Sequence, residues 1–356
     1  MIADSPWLLP LSGLLAGVVL GAVARHRHFC TLSALERHWY AGDSGGLRTW
    51  VLAATVAAIA TQALAAAGLL DVARSFYLAP RLGLLGAVLG GVAFGIGMAL
   101  VGTCGFGALV RLGGGSLRSL VVVIGIGLAA LSTQLGPLGV LRERLVEPLA
   151  IALPARDQSI PTLARALSGL PLEGPVTLLC LALPLVGVFR ERAYRRDAAA
   201  VAGGSAIGLC VAFGWLATSQ LARRSFEPIQ IESASFVLPP GQLVQDLTLW
   251  SGSLPDYGVG LVVGVVIGAA LVARIDDDVR WEACDDAREL GRHLLGAFLM
   301  GVGGVLAAGC TIGQGVSAAS LLAVSAPIVF ASMMLGARIG LSWLLEGSPL
   351  SFLRTG

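Results

Sequence analysis

Long apolar runs separated by short stretches with polar or arginine residues make up most of this chain. A helix needs roughly 17 to 25 apolar residues to cross the hydrocarbon core of a bilayer, and nine runs approach that length. They lie at about 7–24, 49–69, 82–101, 117–134, 175–190, 200–219, 257–274, 294–308 and 320–345. The pattern predicts an all-α polytopic membrane protein with about nine transmembrane helices.

The composition supports this class and argues against a soluble domain. Hydrophobic residues make up 56% of the chain, charged residues 13%, and the mean hydropathy is +0.82. The 48 glycines fit as well, because glycine lets membrane helices approach closely and lets irregular backbone line a cavity at membrane depth. No ATP-binding or ion-coupling motif is visible, and we expect no cofactor and no enzymatic activity.

The arginines set the expected orientation. Every one of the 24 basic residues is an arginine, and these fall almost entirely between the apolar runs. The loop after the first run holds Arg25, Arg27, Arg37 and Arg48. Since loops rich in basic residues stay in the cytoplasm, we expect a periplasmic N-terminus and a cytoplasmic C-terminus.

Two glycine and cysteine segments of the chain are near copies. In 95–107 and again in 301–313, the order is G-x-G, six residues, a cysteine, two residues and a glycine. The two cysteines are Cys104 and Cys310. A third, Cys30, also follows directly on an apolar run. The matched spacing indicates an internal repeat.

The number of runs gives that repeat a direction. We expect a first repeat at 1–134 with four helices and the Cys30 and Cys104 loops, a second at 200–356 with four helices and the Cys310 loop, and 135–199 between them. This middle part combines an amphipathic loop with a single fifth helix, so the second repeat is inverted relative to the first. Inverted repeats are typical of transporters, whose sites form near the bilayer midplane from broken helices. The cysteine loops are therefore predicted to be re-entrant.

The chemistry of these loops favours a soft anion. Glycine-rich loops at helix ends leave backbone N–H groups free to bind anions, and a neutral thiol is a weak S–H donor that suits a sulfur anion better than sulfate. By symmetry with the Cys30 loop, polar residues of 222–256, among them Glu232, are further candidates. The predicted substrate-binding residues are Cys30, Cys104, Cys310, Gly107, Thr311, Gly313, Gln314, Ser233 and Ser235.

Other interpretations of the cysteines and histidines stay open. A lone membrane cysteine is often only a small buried side chain, which is the interpretation for Cys180 and Cys210. A soft metal could use His26, His28 and Cys30, although alternate residues do not share a helix face. A thiol redox enzyme would need a resolving cysteine pair, and the sequence holds no C-x-x-C motif.

The chain resembles the YeeE/YedE sulfur-transport family. The resemblance rests on RHRHFCTLSALER, FGIGMALVGTCGFGALVRLGGGS and GVGGVLAAGCTIGQGVSAAS, in order and with similar loop spacing. It implies an hourglass-shaped protein of the bacterial inner membrane that imports thiosulfate, with Cys30, Cys104 and Cys310 binding the ion in turn.

The resemblance also implies a partner and leaves the substrate open. A separate TusA-like sulfurtransferase on the cytoplasmic side is the expected partner. Some relatives are linked to other reduced sulfur or selenium compounds. The polar stretch 135–174, His26 and His28 depart from the family pattern.

Overall fold

The computed structural model describes residues 7–225, 228–249 and 255–348, and helices dominate these ranges. The helices before the middle part are α1 Leu8–Arg27, α2 Thr31–Ala41, α3 Gly45–Ala66, α4 Leu84–Val101, α5 Gly105–Gly113 and α6 Leu117–Gln134. The middle part holds α7 Pro137–Leu145, α8 Ile160–Ser168, α9 Glu173–Phe189 and α10 Arg192–Arg196. The remaining helices are α11 Ala198–Arg224, α12 Leu238–Thr248, α13 Tyr257–Ile275, α14 Ala287–Leu306 and α15 Ser325–Glu346.

Short elements complete the fold. Three-residue 3-10 helices lie at Val72–Arg74, Phe76–Leu78 and Glu147–Leu149, and a π-helical turn lies at Gly313–Ala318. Strand β1, Arg81–Leu82, pairs antiparallel with β2, Ile151–Ala152. This pairing ties the middle part of the chain to the loop between α3 and α4.

Seven helical stretches in the described residues are long and apolar enough to cross a membrane. They are Leu8–Ala41, Gly45–Ala66, Leu84–Gly113, Leu117–Gln134, Ala198–Arg224, Tyr257–Ile275 and Ser325–Glu346. Each matches a predicted run, so the all-α polytopic membrane fold is confirmed. The count of nine stays a prediction.

The other two predicted runs are also helical. Helix α9 has 17 residues and contains Pro184. Helix α14 has 20 residues and begins earlier than the predicted 294–308, because the Asp286 side chain caps the Glu289 N–H and starts a charged first turn. An apolar run marks only the later part of such a helix.

Left-handed residues end a helix just before each of the three cysteines. His28 has φ 50° after α1, Gly102 has φ 78° after α4, and Ala308 has φ 54° after α14. A left-handed residue turns the chain out of the helix. Each cysteine, Cys30, Cys104 or Cys310, lies two residues after the left-handed residue, and a new helical segment follows it. Each cysteine therefore lies at a helix break.

The helices on either side of the middle part follow the same order and contact each other reciprocally. A long helix, a short helix and a long helix precede the glycine-rich helices α4 and α14, each of which is followed by a cysteine loop and one further long helix. Helix α1 packs on α13 and α11 on α3, while α4 packs on α15 and α14 on α6. A twofold axis relating the two sets of helices would produce these reciprocal pairs.

The contact between α1 and α13 brings two backbones together. A Cβ added to Gly17 would lie 2.9 Å from the Gly264 Cα, and a Cβ added to Gly264 would lie 2.9 Å from the Gly17 Cα. Only glycine permits this approach, which is a common basis of helix packing in membranes.

Candidate functional site

The Cys310 loop is shaped by its own side chains. The Gly313 N–H donates to Cys310 Sγ at 3.2 Å. The Gln314 amide donates to the Ala307 carbonyl at 2.8 Å and the Ala308 carbonyl at 3.1 Å, two acceptors that the end of α14 leaves free. Cys310 is buried. The loop therefore holds the thiol in one position.

The Cys104 loop repeats this arrangement. Cys104 is the N-cap residue of α5, is fully buried, and its Sγ accepts from the Gly107 N–H at 3.4 Å. The shared C-x-x-G spacing thus has a physical basis, because each sulfur caps the N–H three residues on. With the sulfur accepting there, its own S–H proton remains free to donate elsewhere.

Cys30 reaches the same place from another part of the chain. It is the N-cap residue of α2, with extended backbone at φ −142°, and its Sγ lies 3.6 Å from Thr103 Oγ1. Its side chain neighbours Cys104, and a Cβ added to Gly107 would lie 3.4 Å from Cys30 Sγ. The fold therefore places Cys30 and Cys104 side by side.

Thr311 lies between the Cys310 and Cys104 loops. It follows Cys310 in the chain, is 1% exposed, and its side chain neighbours the Cys104 thiol. Even so, no hydrogen bond of normal geometry reaches its hydroxyl oxygen from the described residues. Since buried polar groups are nearly always paired, this hydroxyl is a candidate donor to a bound ligand.

Tyr77 supplies a second buried hydroxyl near Cys310. It comes from the 3-10 helix Phe76–Leu78, and a Cβ added to Gly313 would lie 2.9 Å from the Tyr77 OH and 3.2 Å from Ser235 Oγ. The Tyr77 hydroxyl lies near Ser235 but makes no hydrogen bond of normal geometry within the described part of the chain. Two buried hydroxyls, those of Thr311 and Tyr77, therefore lie near the buried thiols.

A cavity opens above the Cys310 loop, and we call it the vestibule. Its volume is about 520 Å³. Ser235, Ala308 and Gly309 line it next to Cys310. The other lining residues include Phe76, Arg81, Gln134, Arg142, Glu147, Gln230, Glu232 and Gln242. Polar and charged side chains thus form part of the wall of this cavity.

A smaller cavity of about 40 Å³ lies at the Cys30 side. Cys30, Arg27, His28 and Arg37 contribute to its lining. The Cys310, Cys104 and Cys30 loops therefore stand between the vestibule and this second, basic cavity.

The remaining predicted site residues take different positions. Ser233 is buried and its hydroxyl donates to the Val211 carbonyl at 2.7 Å, so it faces α11 rather than the cysteines. Ser235, two residues on, lines the vestibule beside Gly313. The Gln314 amide oxygen accepts from Ser325 at 3.3 Å, so both ends of this side chain already have partners.

The candidate site includes two residues that the sequence analysis does not name, Tyr77 and Thr103. It also gives the hydroxyl of Thr311 a central position between two cysteines. Thr103 directly precedes Cys104 as Thr311 directly follows Cys310, so the signal for Thr103 is its position next to a motif cysteine. Tyr77 lies in a loop outside every motif, and no signal in the sequence marks it.

The histidine hypothesis receives no geometric support. His28 ends α1, and His26 lies 3.9 Å from Asp276 in an exposed pair. Within the described ranges, no group of three or more His, Cys, Asp and Glu side chains is placed to hold a metal ion. Cys210 packs against the core, and Cys180 lines an apolar groove.

Comparison with known proteins gives a family. The chain is 27% identical to the thiosulfate transporter TsuA of Escherichia coli (strain K12), over 95% of each chain. It is 25% identical to the thiosulfate transporter TsuA of Spirochaeta thermophila, over 94% of this chain and 98% of that one. The family described as Sulphur transport matches residues 26–339, which include all three cysteine loops, and the chain belongs to that family.

Proposed function

We propose that this protein carries thiosulfate across the membrane and that the ion passes Cys310, Cys104 and Cys30 in turn. The observation that carries the proposal is the group of buried donors that the fold brings together, in which the hydroxyls of Tyr77 and Thr311 lie beside the thiols of Cys310 and Cys104. The oxygens of an oxyanion would accept from these hydroxyls. Two full-length relatives named as thiosulfate transporters support the choice of anion.

The chemistry of the path suits an ion that must bind and then leave. Thiosulfate arrives in the vestibule, where Arg81 offsets part of its charge. At Cys310 it meets an S–H donor, the Tyr77 hydroxyl and a glycine-rich backbone. All these donors are neutral, so each holds the ion weakly, and weak binding at several sites permits release.

The transfer to the second loop goes through Thr311. Its hydroxyl lies between Cys310 and Cys104, so the ion can keep one hydrogen bond while it exchanges the others. Cys30 and Thr103 then receive it beside Cys104. The basic cavity with Arg27 and Arg37 is the exit.

The neutral thiols favour soft sulfur over hard oxygen. A thiol donates a weak hydrogen bond, which suits the terminal sulfur of thiosulfate and serves sulfate less well. A selenium analogue or another reduced sulfur anion fits the same donors and is the alternative substrate.

We propose the topology that the arginine pattern predicts. The protein lies in the bacterial inner membrane with a periplasmic N-terminus and a cytoplasmic C-terminus, so the vestibule faces the periplasm. The halves 1–134 and 200–356 are inverted copies, joined by 135–199. The reciprocal contacts of α1 with α13 and α11 with α3 support this arrangement.

A TusA-like sulfurtransferase is the proposed acceptor on the cytoplasmic side. Acceptance of the ion at the Cys30 side would draw transport inward without a further energy source. Uptake into liposomes that enclose such a protein is expected to exceed uptake into empty ones. Equal uptake would argue against this partner.

A thiol redox enzyme is the second candidate function. The observation that favours it is the proximity of Cys30 and Cys104, a pair that is distant in sequence and close together in the fold. Such a protein would form a disulfide or a mixed disulfide during turnover, whereas a transporter leaves both thiols unchanged.

Uptake into proteoliposomes separates the two functions. We expect purified protein to take up labelled thiosulfate, competed by unlabelled thiosulfate more than by sulfate, and to deliver it chemically intact. Cys310→Ala should abolish uptake, and Cys284→Ala, in the loop before α14, should not. Conversion of the ion, or full activity of Cys310→Ala, would contradict the proposal. Selenite as competitor tests the alternative substrate.

A further inference from the structure

Glu232 is a charged residue of the vestibule that the thiol path leaves without a role. It lies in the extended segment before α12, three residues before Ser235, and both side chains line the vestibule. Its backbone carbonyl accepts from the Thr218 hydroxyl at 2.8 Å, and its carboxylate accepts from the Gly258 N–H at 3.2 Å. These two contacts hold the carboxyl group in place at the cavity wall.

The carboxyl group has no basic partner in the part of the chain that the structure describes. Arg142, which lines the same cavity, instead contacts Glu147 at 3.2 Å and donates to Gln134 at 2.7 Å. Arg81 makes no ion pair with Glu232 either, as their charged atoms do not come within 4.0 Å in the described residues. A carboxylate that lies beside an anion path and is not paired with a cation is an unusual placement, because it opposes the ion that must pass.

The groups around Glu232 are acidic or neutral. Asp256, the N-cap residue of α13, lies near Glu232, and Asp246 of α12 lies near Asp256. Tyr77 of the 3-10 helix and Tyr257 of α13 also lie close enough for their hydroxyls to interact with its charge. Burial, and secondly the charge of Asp256, raise the pKa of Glu232 to about 7, while the Gly258 N–H opposes this in part.

Protonation reverses what this side chain does to a passing anion. The ionised carboxylate repels an anion in a cavity of low polarity. The protonated carboxyl has no charge and offers an O–H donor. We propose that Glu232 is the proton site of the vestibule and that the anion passes Ser235 toward Cys310 while the Glu232 carboxyl is protonated.

This inference rests on the proposed transport of an anion and adds its control by protons. The proton comes from water in the vestibule and binds one carboxylate oxygen. It returns to water when the carboxyl ionises again behind the ion. No bond of the anion changes and no electron moves.

The test is the pH dependence of uptake. Initial rates of labelled thiosulfate uptake are measured in proteoliposomes with the external pH varied from about 5.5 to 8.5 at constant internal pH. Wild-type uptake should fall as the pH rises through 7, by about tenfold per unit at the upper end. Glu232→Gln should keep the low-pH rate across the range, because the amide is neutral and still donates.

Two further variants make the result specific. Glu147→Gln removes an exposed carboxylate of the same cavity and should keep the wild-type profile. Glu232→Asp keeps a titratable group and should keep the fall with pH, which provides a second test if the glutamine variant is unstable.

Each outcome has a clear meaning. A Glu232→Gln profile that still falls with pH, or wild-type uptake that does not change with pH, overturns the role of Glu232 and leaves thiosulfate transport standing. Absence of wild-type thiosulfate uptake at every pH overturns the proposed function and this inference together.

Discussion

Thr311→Val is expected to make the protein more stable and the transporter worse. Valine has nearly the shape of threonine, so packing is kept while one hydroxyl is lost. That hydroxyl is buried and has no hydrogen-bond partner in the described residues. An unpaired buried polar group costs roughly 1–3 kcal/mol. The variant should therefore unfold at higher temperature in detergent, with a gain of about 1 kcal/mol.

The effect on transport has the opposite sign. If the hydroxyl donates to the passing anion, its loss removes a hydrogen bond to a charged group, which contributes about 1.5–3 kcal/mol. At about 1.4 kcal/mol for each factor of ten, the affinity for thiosulfate should fall by about 10-fold to 150-fold. Concentration-dependent uptake in proteoliposomes measures this as a raised half-saturation concentration.

Thr61→Val is the matched control. Thr61 is also buried, its hydroxyl is also without a partner in the described chain, and it lies on α3, which carries none of the cysteines. It should show the gain in stability and normal uptake. Unchanged uptake by Thr311→Val would refute the role of this hydroxyl in transport. Lowered stability of Thr311→Val would show that the hydroxyl has a hydrogen-bond partner within the protein.

Three further predictions follow from other contacts. A membrane-permeant thiol oxidant should join Cys30 to Cys104 and stop uptake, and a reductant should restore it, because the side chains are neighbours; no disulfide in mass spectra, or full uptake after cross-linking, would contradict this placement. Gln314→Leu should destabilise the protein by about 2–4 kcal/mol, since it breaks bonds to two carbonyls and to Ser325 and leaves buried groups unpaired; an unchanged melting temperature would show that the loop is held otherwise. Because the pKa of Glu232 in the folded protein, about 7, is above the usual 4.5, stability should be full below about pH 4.5 and decline as the pH rises through 7. The loss of stability should reach about 1–3 kcal/mol, and Glu232→Gln should not show it. Melting temperatures of both proteins across this pH range measure the effect, and an equal decline in both would contradict the role of Glu232.

The helices and their breaks were largely predictable from the sequence. Apolar runs of sufficient length mark the long helices, and the repeated spacing around Cys104 and Cys310 marks the two loops. The structure gives that spacing a cause, because Gly107 and Gly313 each donate an N–H to the preceding cysteine. A hydrogen bond between residues three positions apart is therefore visible in the sequence as a fixed cysteine-to-glycine spacing.

Contacts between distant segments left no such pattern. The neighbours Cys30 and Cys104, the hydroxyl of Tyr77 beside Gly313, and the isolation of Glu232 all depend on how separate helices pack. The start of α14 was missed because charged residues form its first turn. The sequence also does not distinguish Ser233 from Ser235. In the structure, Ser233 donates to α11 and only Ser235 lines the vestibule.

The most direct test of the thiol path is to locate the ion in the protein. Crystals soaked with selenosulfate, the selenium analogue of thiosulfate, would give an anomalous signal from the selenium atom. We expect a peak in contact with the sulfur of Cys310, Cys104 or Cys30, with oxygen density next to Tyr77 or Thr311. Peaks confined to the vestibule, or at the lipid-facing surface, would contradict it.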